Sequence, residues 1–320
     1  MTKFKSPQLQ YLESNLNIIE VIQSYFPEYE EDGSVVCPFH EDDQPSLHIA
    51  PDGRAKCFGC GFKTPHLIGL VRRLEDMTDH EASVFLTKMI PCVPESKIRA
   101  CEKALARNQD AMDYLKSPER NLSGALIHKY RLGLELSSER ITIPIIDSSG
   151  KCRNLRRYDW QGRSDQKMIN VEGLGETRIY PESVLFKNRR VLLVEGEFDA
   201  EVGNSFDIPT VSWTGGADSW GERYQYLFQD KAVWIMYDDD EAGQLAASRA
   251  RVKLMNIAYR VMSPKLKVLT DKPQPKDLTE WSVACPMMLH ELKEEISKFK
   301  FPKKLVRKNY CPTCGQEVKK

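Results

Sequence analysis

Four residues with metal-ligand chemistry stand in two close pairs, Cys37-Pro-Phe-His40 and, after sixteen intervening residues, Cys57-Phe-Gly-Cys60. Two residues between partners let both side chains of a pair reach one ion, and the intervening stretch is long enough to fold back as a hairpin. Three thiolates and an imidazole fill the tetrahedral shell of Zn²⁺, so one structural zinc per monomer is expected, with no open position for catalysis. Gly59 and Gly61 suit the tight backbone of such a knuckle. His48, His66 and His80 lack the spacing and are read as solvated or satisfied side chains.

A second constellation is acidic. Glu195 closes the run Val-Leu-Leu-Val-Glu, and Asp238, Asp239 and Asp240 follow Trp-Ile-Met-Tyr. Strand alternation turns Asp238 and Asp240 one way and Asp239 the other, and the carboxyl ends of parallel strands form a usual ligand crevice. Glu195, Asp238 and Asp240 are therefore expected to converge as catalytic, metal-binding residues, their hard oxygens suiting Mg²⁺ or Mn²⁺. Acids at the start of a helix also complement its dipole, by about 0.3–1 kcal/mol each, so the triple aspartate alone has a structural reading too. Between the two constellations, Lys151, Arg153, Arg156, Arg157 and Arg163 crowd thirteen residues that hold one acid, Asp159. Such a stripe either neutralises phosphates or is a solvated face.

The elements that must carry these residues follow from periodicity. Leu16, Ile19, Ile22 and Phe26 mark one helical face ending at Pro27. Thr64-Pro65 reads as the cap and first turn of an amphipathic helix through Leu67, Leu70, Val71 and Leu74, and a further helix spans Asp79 to Met89. Residues 98–135 read as helical, and the run from Ile141 to Asp159 as a hairpin turning at Asp147–Gly150. Beyond Val191, strands (Val-Leu-Leu-Val-Glu, Pro-Thr-Val-Ser-Trp, Ala-Val-Trp-Ile-Met-Tyr, Lys-Val-Leu) alternate with helices near 197–204, 217–228 and 241–256, which argues for a mostly parallel α/β sheet.

Composition sets the outer bounds. The 320 residues are 41% hydrophobic and 29% charged, with equal numbers of basic and acidic residues, so two to three globular units are expected and net charge selects no partner. No apolar run approaches the roughly 18 residues of a membrane span, and the start shows no secretory stretch. Nine cysteines in such a chain favour metal ligation or free thiols over disulfides.

The stretches Cys-Pro-Phe-His-Glu-Asp-Asp-Gln-Pro-Ser-Leu and Lys-Cys-Phe-Gly-Cys-Gly resemble the zinc-binding domain of bacterial-type DNA primases. Glu-Gly-Glu-Phe-Asp at 195–199, Asp-Asp-Asp-Glu-Ala-Gly at 238–243 and Lys-Asp at 276–277 resemble the Toprim signature in order and approximate spacing. Two departures are visible: Phe62 to Pro65 replace the usual Gly-Asp after the last cysteine, and Glu197-Phe198 replace a frequent Tyr-Met. The resemblance, which spans residues 8 to about 282, implies a free-standing bacterial or bacteriophage-type primase, cytoplasmic in a bacterium or infected host. It adds Asp277 to the magnesium ligands and makes Arg157, Lys167 and Asn170 the substrate- and template-binding residues, with Arg153 and Arg156 weaker candidates. It implies single-stranded DNA and ribonucleoside triphosphates as substrates, a replicative helicase as partner, and no membrane. Phe58 and Phe62 can stack on bases while Lys56 and Lys63 hold phosphates, although Phe39 and Phe58 can equally pack the small zinc domain.

The implied organisation is a zinc-ribbon-like domain over 1–90, a linker over 91–100, a basic α+β subdomain over 101–185, a Toprim α/β domain over 186–283, and a C-terminal helix with a basic tail over 284–320. The tail carries Cys311 and Cys314, which have the spacing of half a zinc ribbon but read more simply as an exposed thiol pair, and its lysines can add non-specific DNA affinity. Two other activities share parts of this pattern. A Toprim nuclease would use the same acids, and a primase-derived DNA-binding regulator would use none of them.

Overall fold

A computed structural model of the chain describes residues 7–216, 219–265 and 274–302, with the short strands at 309–310 and 317–318. The chain divides into two compact units, Met1–Pro91 and Cys92–Lys320.

In the first unit, helices α1 (Pro7–Asn15) and α2 (Ile18–Tyr25) precede four strands paired antiparallel in chain order. These are β1 (Ser34–Val36), β2 (Pro45–Ile49), β3 (Ala55–Cys57) and β4 (Lys63–Thr64), followed by α3 (Leu67–Leu74) and α4 (Asp79–Met89). Asn17 caps α2, and Leu16, Ile22 and Phe26 enter one core with Leu47, Ile49, Leu70, Val71 and Leu86. The cap of α3 differs from expectation. Thr64 is held in the β-ladder opposite Ala55, so the helix begins only after the chain leaves the strand, and His66 caps it through Nδ1, 3.3 Å from the Gly69 N–H. A full capping box of Thr78 and Glu81 starts α4.

The second unit opens with α5 (Glu95–Ala106), α6 (Gln109–Lys116) and α7 (Gly124–Lys129). An antiparallel sheet follows in the order β5 (Gly133–Glu135), β6 (Arg140–Ile146), β7 (Cys152–Tyr158) and β8 (Met168–Ile169), its central hairpin turning at residues 147–150. The α/β part then runs β9 (Ile179–Tyr180), α8 (Glu182–Lys187), β10 (Arg190–Val194), α9 (Glu197–Ser205), β11 (Thr210–Trp213), a 3₁₀ helix (Glu222–Phe228) and β12 (Ala232–Met236). It ends with α10 (Glu241–Met255), β13 (Arg260–Met262), α11 (Leu278–Ala284), α12 (Pro286–Lys298) and the paired β14 (Asn309–Tyr310) and β15 (Glu317–Val318). The expected strand Lys267–Leu269 lies outside the described residues, as do Cys311, Cys314 and the basic residues from Lys303 to Lys308. The helix expected at 217–228 is the 3₁₀ helix over 222–228, with residues 217–218 outside the description.

The second sheet has the order β13-β12-β10-β11-β9, with all neighbours parallel except β9 against β11. Its central strands are apolar on both faces because both are covered. Leu192, Val194, Ala232 and Trp234 join a core with α9, α11 and α12, while Val191, Leu193, Val233 and Ile235 pack on α10 and the 3₁₀ helix. From β10 the chain passes first to β11 on one side and then to β12 on the other, so the order reverses between β10 and β12. A crevice opens at the carboxyl ends of strands at such a reversal.

The β6–β7 turn is held by Asp147, which accepts the Ser149 and Lys151 N–H groups and pairs with Arg153, both side chains being 1% exposed. Removing one partner strands a buried charge. Asp147→Ala is expected to lower the stability of this unit by about 3–5 kcal/mol in chemical denaturation.

Candidate metal centre and acidic cleft

Pairing of β2 with β3 brings the two ligand pairs of the first unit together, with Leu47 opposite Cys57 and Cys37 directly after β1. One ligand atom from each of Cys37, His40, Cys57 and Cys60 lies within 4.8 Å of the others. The Cys37 and Cys60 sulfurs are 4.0 Å apart, close to the roughly 3.8 Å edge of a tetrahedron with 2.3 Å Zn–S bonds. Burial opposes ionisation of Cys57, but Ser46 Oγ and the N–H groups of Cys60 and Gly59 outweigh it and bring the thiol down to about 6, whereas burial pushes Cys37 up to about 12. His40 Nδ1 is buried with no partner among the described residues. A Cβ on Gly59 would stand 2.4 Å from His40 Nε2, so only glycine fits beside the imidazole. The donor set fits Zn²⁺. Around it, Phe62 packs edge-on against Phe39 at 4.7 Å, while Phe58 is 70% exposed with Lys56 Nζ 4.6 Å from its ring.

In the second unit the β10–β12 register, Val194 opposite Met236, places Glu195 and the aspartate run at adjacent strand ends. Because β12 ends at Met236, all three aspartates lie beyond the strand, and alternation does not orient them. Helix caps and local contacts do. Asp240 caps α10 by accepting the Gly243 N–H at 2.8 Å, and it pairs with Lys276 Nζ at 2.8 Å, which is also 3.8 Å from Asp238. Asp239 is exposed and accepts from Gln244 Nε2. Asp277 caps α11 through the Glu280 N–H, and Asp199, in the first turn of α9, accepts from Thr279 N–H and Oγ1 at 3.0 and 2.6 Å. The triad whose oxygens lie within 4.8 Å of one another is thus Asp199, Asp238 and Asp277. Asp240 stands beside it on Lys276. Glu195 shares a cleft of about 380 Å³ with the triad.

The carboxyls of this cleft raise one another's pKa values. Burial, then the Asp277 charge, push Asp199 up to about 7 against the Thr279 hydrogen bonds. Burial followed by Asp238 raises Glu195, and burial followed by Asp277 raises Asp238. Burial also raises Asp277. Glu195 Oε2 is buried with no hydrogen-bond partner among the described residues. Mutually repelling carboxylates with an orphaned oxygen fit a hard divalent cation. A Cβ on Gly243 would stand 2.3 Å from the Asp238 carbonyl, so this glycine lets α10 start tightly against the aspartate loop.

The basic hairpin is largely consumed within the fold. Arg153 pairs with Asp147, Arg156 with Glu197, Arg157 with Glu135 and Arg163 with Glu139. Arg157 also donates to the Asn170 carbonyl, and Asn170 Oδ1 accepts from Asn154 and from Arg156 at 3.0 Å. Of the three expected binding residues only Lys167 lines the cleft, joined by Arg156, while Arg157 and Asn170 stand behind them. Arg120 was not singled out by sequence. It lines the same cleft, lies 5.0–5.4 Å from the Tyr114, Tyr158 and Phe198 rings, and leaves Nε without a partner among the described residues. A lone arginine in a charged helical region carries no spacing signal. Asp199 had one, as the last residue of the 195–199 motif.

Residues 4–99 match the family model described as CHC2 zinc finger. The chain is 27% identical over 323 residues to a DNA primase of Aquifex aeolicus, covering 80% of this chain and 63% of that protein. It is 24% identical to a DNA primase of Chlamydia trachomatis, covering 77% and 52%. It therefore spans between about half and two thirds of the length of these relatives. The crystal structure of the Aquifex aeolicus primase zinc binding and RNA polymerase domains shares its fold, with a TM-score of 0.51 and 23% identity over 92% of this chain and 85% of that one.

Cys57→Ser is expected to lose the single zinc and to unfold residues 30–65 while the second unit melts unchanged, as read by metal analysis and amide hydrogen exchange. A second expectation concerns pH. Raised carboxyl pKa values mean that the folded state binds more protons than the unfolded one, so the stability Asp199 contributes is present below pH 4 and lost as pH rises through about 7. Metal-free Asp199→Asn should therefore gain in melting temperature over wild type between pH 5 and 8, by roughly 2–4 °C per kcal/mol. Mg²⁺ should raise the wild-type midpoint more at pH 8 than at pH 5 and have little effect on the variant.

Proposed function

We propose, for a chain related to bacterial-type DNA primases and carrying their zinc-binding domain, that the acidic cleft performs template-directed nucleotidyl transfer and makes short RNA primers on single-stranded DNA. The observation that carries this reading is the acid triad with Glu195 at the reversal point of a parallel sheet, faced by Arg120 and Lys167. The order of the Toprim-like motifs supports it.

Bound Mg²⁺ or Mn²⁺ would lower the pKa of an attacking 3′-hydroxyl and balance charge on the leaving pyrophosphate. Asp199, Asp238, Asp277 and Glu195 would hold it. Asp240 restrains Lys276 and keeps the aspartate loop folded onto α10. Lys167 and Arg120 attract nucleotide phosphates from the opposite wall, while Asn170 and Glu197 hold Arg156 in place beside them. Gly215 and Gly216, at φ +116° and +82°, leave the lip of the cleft without side chains. In the first unit, the exposed Phe58 ring beside Lys56 offers a stacking face and a phosphate contact for template bases. The same reading brings in ribonucleoside triphosphates as substrates, a replicative helicase as the supplier of single strands, and a cytoplasmic setting. Among the described residues no helix is long and apolar enough to cross a membrane.

Labelled-nucleotide incorporation on a panel of single-stranded templates tests the proposal. Asp238→Asn, Asp277→Asn and Glu195→Gln are each expected to lose about 10²-fold or more in primer synthesis, as on removal of one transition-state electrostatic contact. Asp239→Asn should stay within a few-fold of wild type. A wild-type rate for Glu195→Gln, or Asp239→Asn as the most damaged variant, would refute the site.

A further inference from the structure

Beside the acidic cleft lies a second concavity of about 520 Å³, and the two share Arg120, Tyr158 and Lys167 as a common wall. Its volume is within the roughly 300–1,000 Å³ of small-molecule sites. Three aromatic rings stand in its wall, among polar residues that include Glu119 and Asp159. Tyr114 and Trp160 stand with ring centroids 5.6 Å apart and planes inclined by 48°, and Tyr158 stacks behind Tyr114 at 6.2 Å and 20°. The tyrosine hydroxyls are engaged with each other at 2.8 Å, and Tyr158 also accepts from Arg120, so the rings are fixed from behind. Trp160 is anchored by its indole N–H to the Glu139 carbonyl. The rim is preformed as well. The buried Asp159 accepts the Gln161 and Ser164 N–H groups, and Gly162 supplies the left-handed turn at φ +66°.

We propose that this pocket seats the nucleobase of the nucleotide whose phosphates enter the acidic cleft, with Trp160 as its stacking face and Tyr114 bracing that ring. The inference rests on the nucleotidyl-transfer reading and assigns that site its base-holding half. Arg120 and Lys167 stand at the junction, where a phosphorylated sugar would pass from one hollow to the other. Stacking accepts any base, because every base has a π face, and a polymerase that takes its instructions from a template needs that tolerance.

The test is calorimetric titration of the full chain in Mg²⁺ with ATP, UTP and inorganic tripolyphosphate, which has the charge but no base. ATP should bind wild type about 10-fold or more tighter than tripolyphosphate. Trp160→Ala should bring ATP down to the tripolyphosphate level while leaving tripolyphosphate unchanged, and Trp160→Phe should keep most of the advantage. Wild type that binds ATP and tripolyphosphate equally, or Trp160→Ala that keeps the ATP advantage, overturns the base pocket and leaves the acidic cleft standing. Wild type that binds neither refutes both. A dT oligonucleotide weakened by Trp160→Ala, with ATP unaffected, would give the pocket to the template strand and overturn the nucleotide assignment.

Discussion

Carboxylates crowded at the ends of two neighbouring parallel strands repel one another, and much of the second unit is arranged around that repulsion. Asp277 is spent partly on a helix cap, and Asp199 is held by both donors of Thr279. Asp240 combines a cap with an ion pair to Lys276, whose ammonium also reaches toward Asp238. Among the acids of the cleft, Glu195 keeps a buried oxygen with nothing among the described residues to satisfy it. Caps, hydrogen bonds and one lysine hold the acids together without cancelling their mutual repulsion, which a divalent cation would relieve.

The two units solve the problem of ligand placement differently. In the first, the antiparallel ladder sets the spacing of the ligand pairs, and two of the three thiols, Cys37 and Cys57, sit within a small core. Metal and fold are then one cooperative object. In the second, both faces of the sheet are covered and the core is large, so the acids at its edge are carried by a scaffold that stands without them.

Much of this was legible in the sequence, for identifiable reasons. Ligand spacing identified the zinc site because two-residue gaps are rare outside such knuckles. Apolar runs located β10 and β12 because strands covered on both faces must be continuous in hydrophobicity. The triple aspartate was located but not oriented, since alternation holds only inside a strand and β12 stops at Met236. The α3 cap was misplaced by two residues because Thr64 was already committed to a ladder that local propensity does not reveal. Least legible was the hairpin: a row of arginines looks the same in sequence whether it meets water or meets Asp147 at its own turn and Glu197, Glu135 and Glu139 from other segments.

On the primase reading, that internal pairing bears on how the protein leaves nucleic acid. An arginine already matched to a carboxylate displaces few condensed counterions when a strand arrives, and each phosphate truly neutralised on a single strand contributes only about 0.7 to the logarithmic salt slope. With Arg153, Arg156 and Arg157 matched at home, these three arginines add little sequence-blind grip. On the primase reading, dwell time on a template then falls to stacking and to nucleotide capture, and the enzyme can release a short product without first dismantling a large electrostatic attachment.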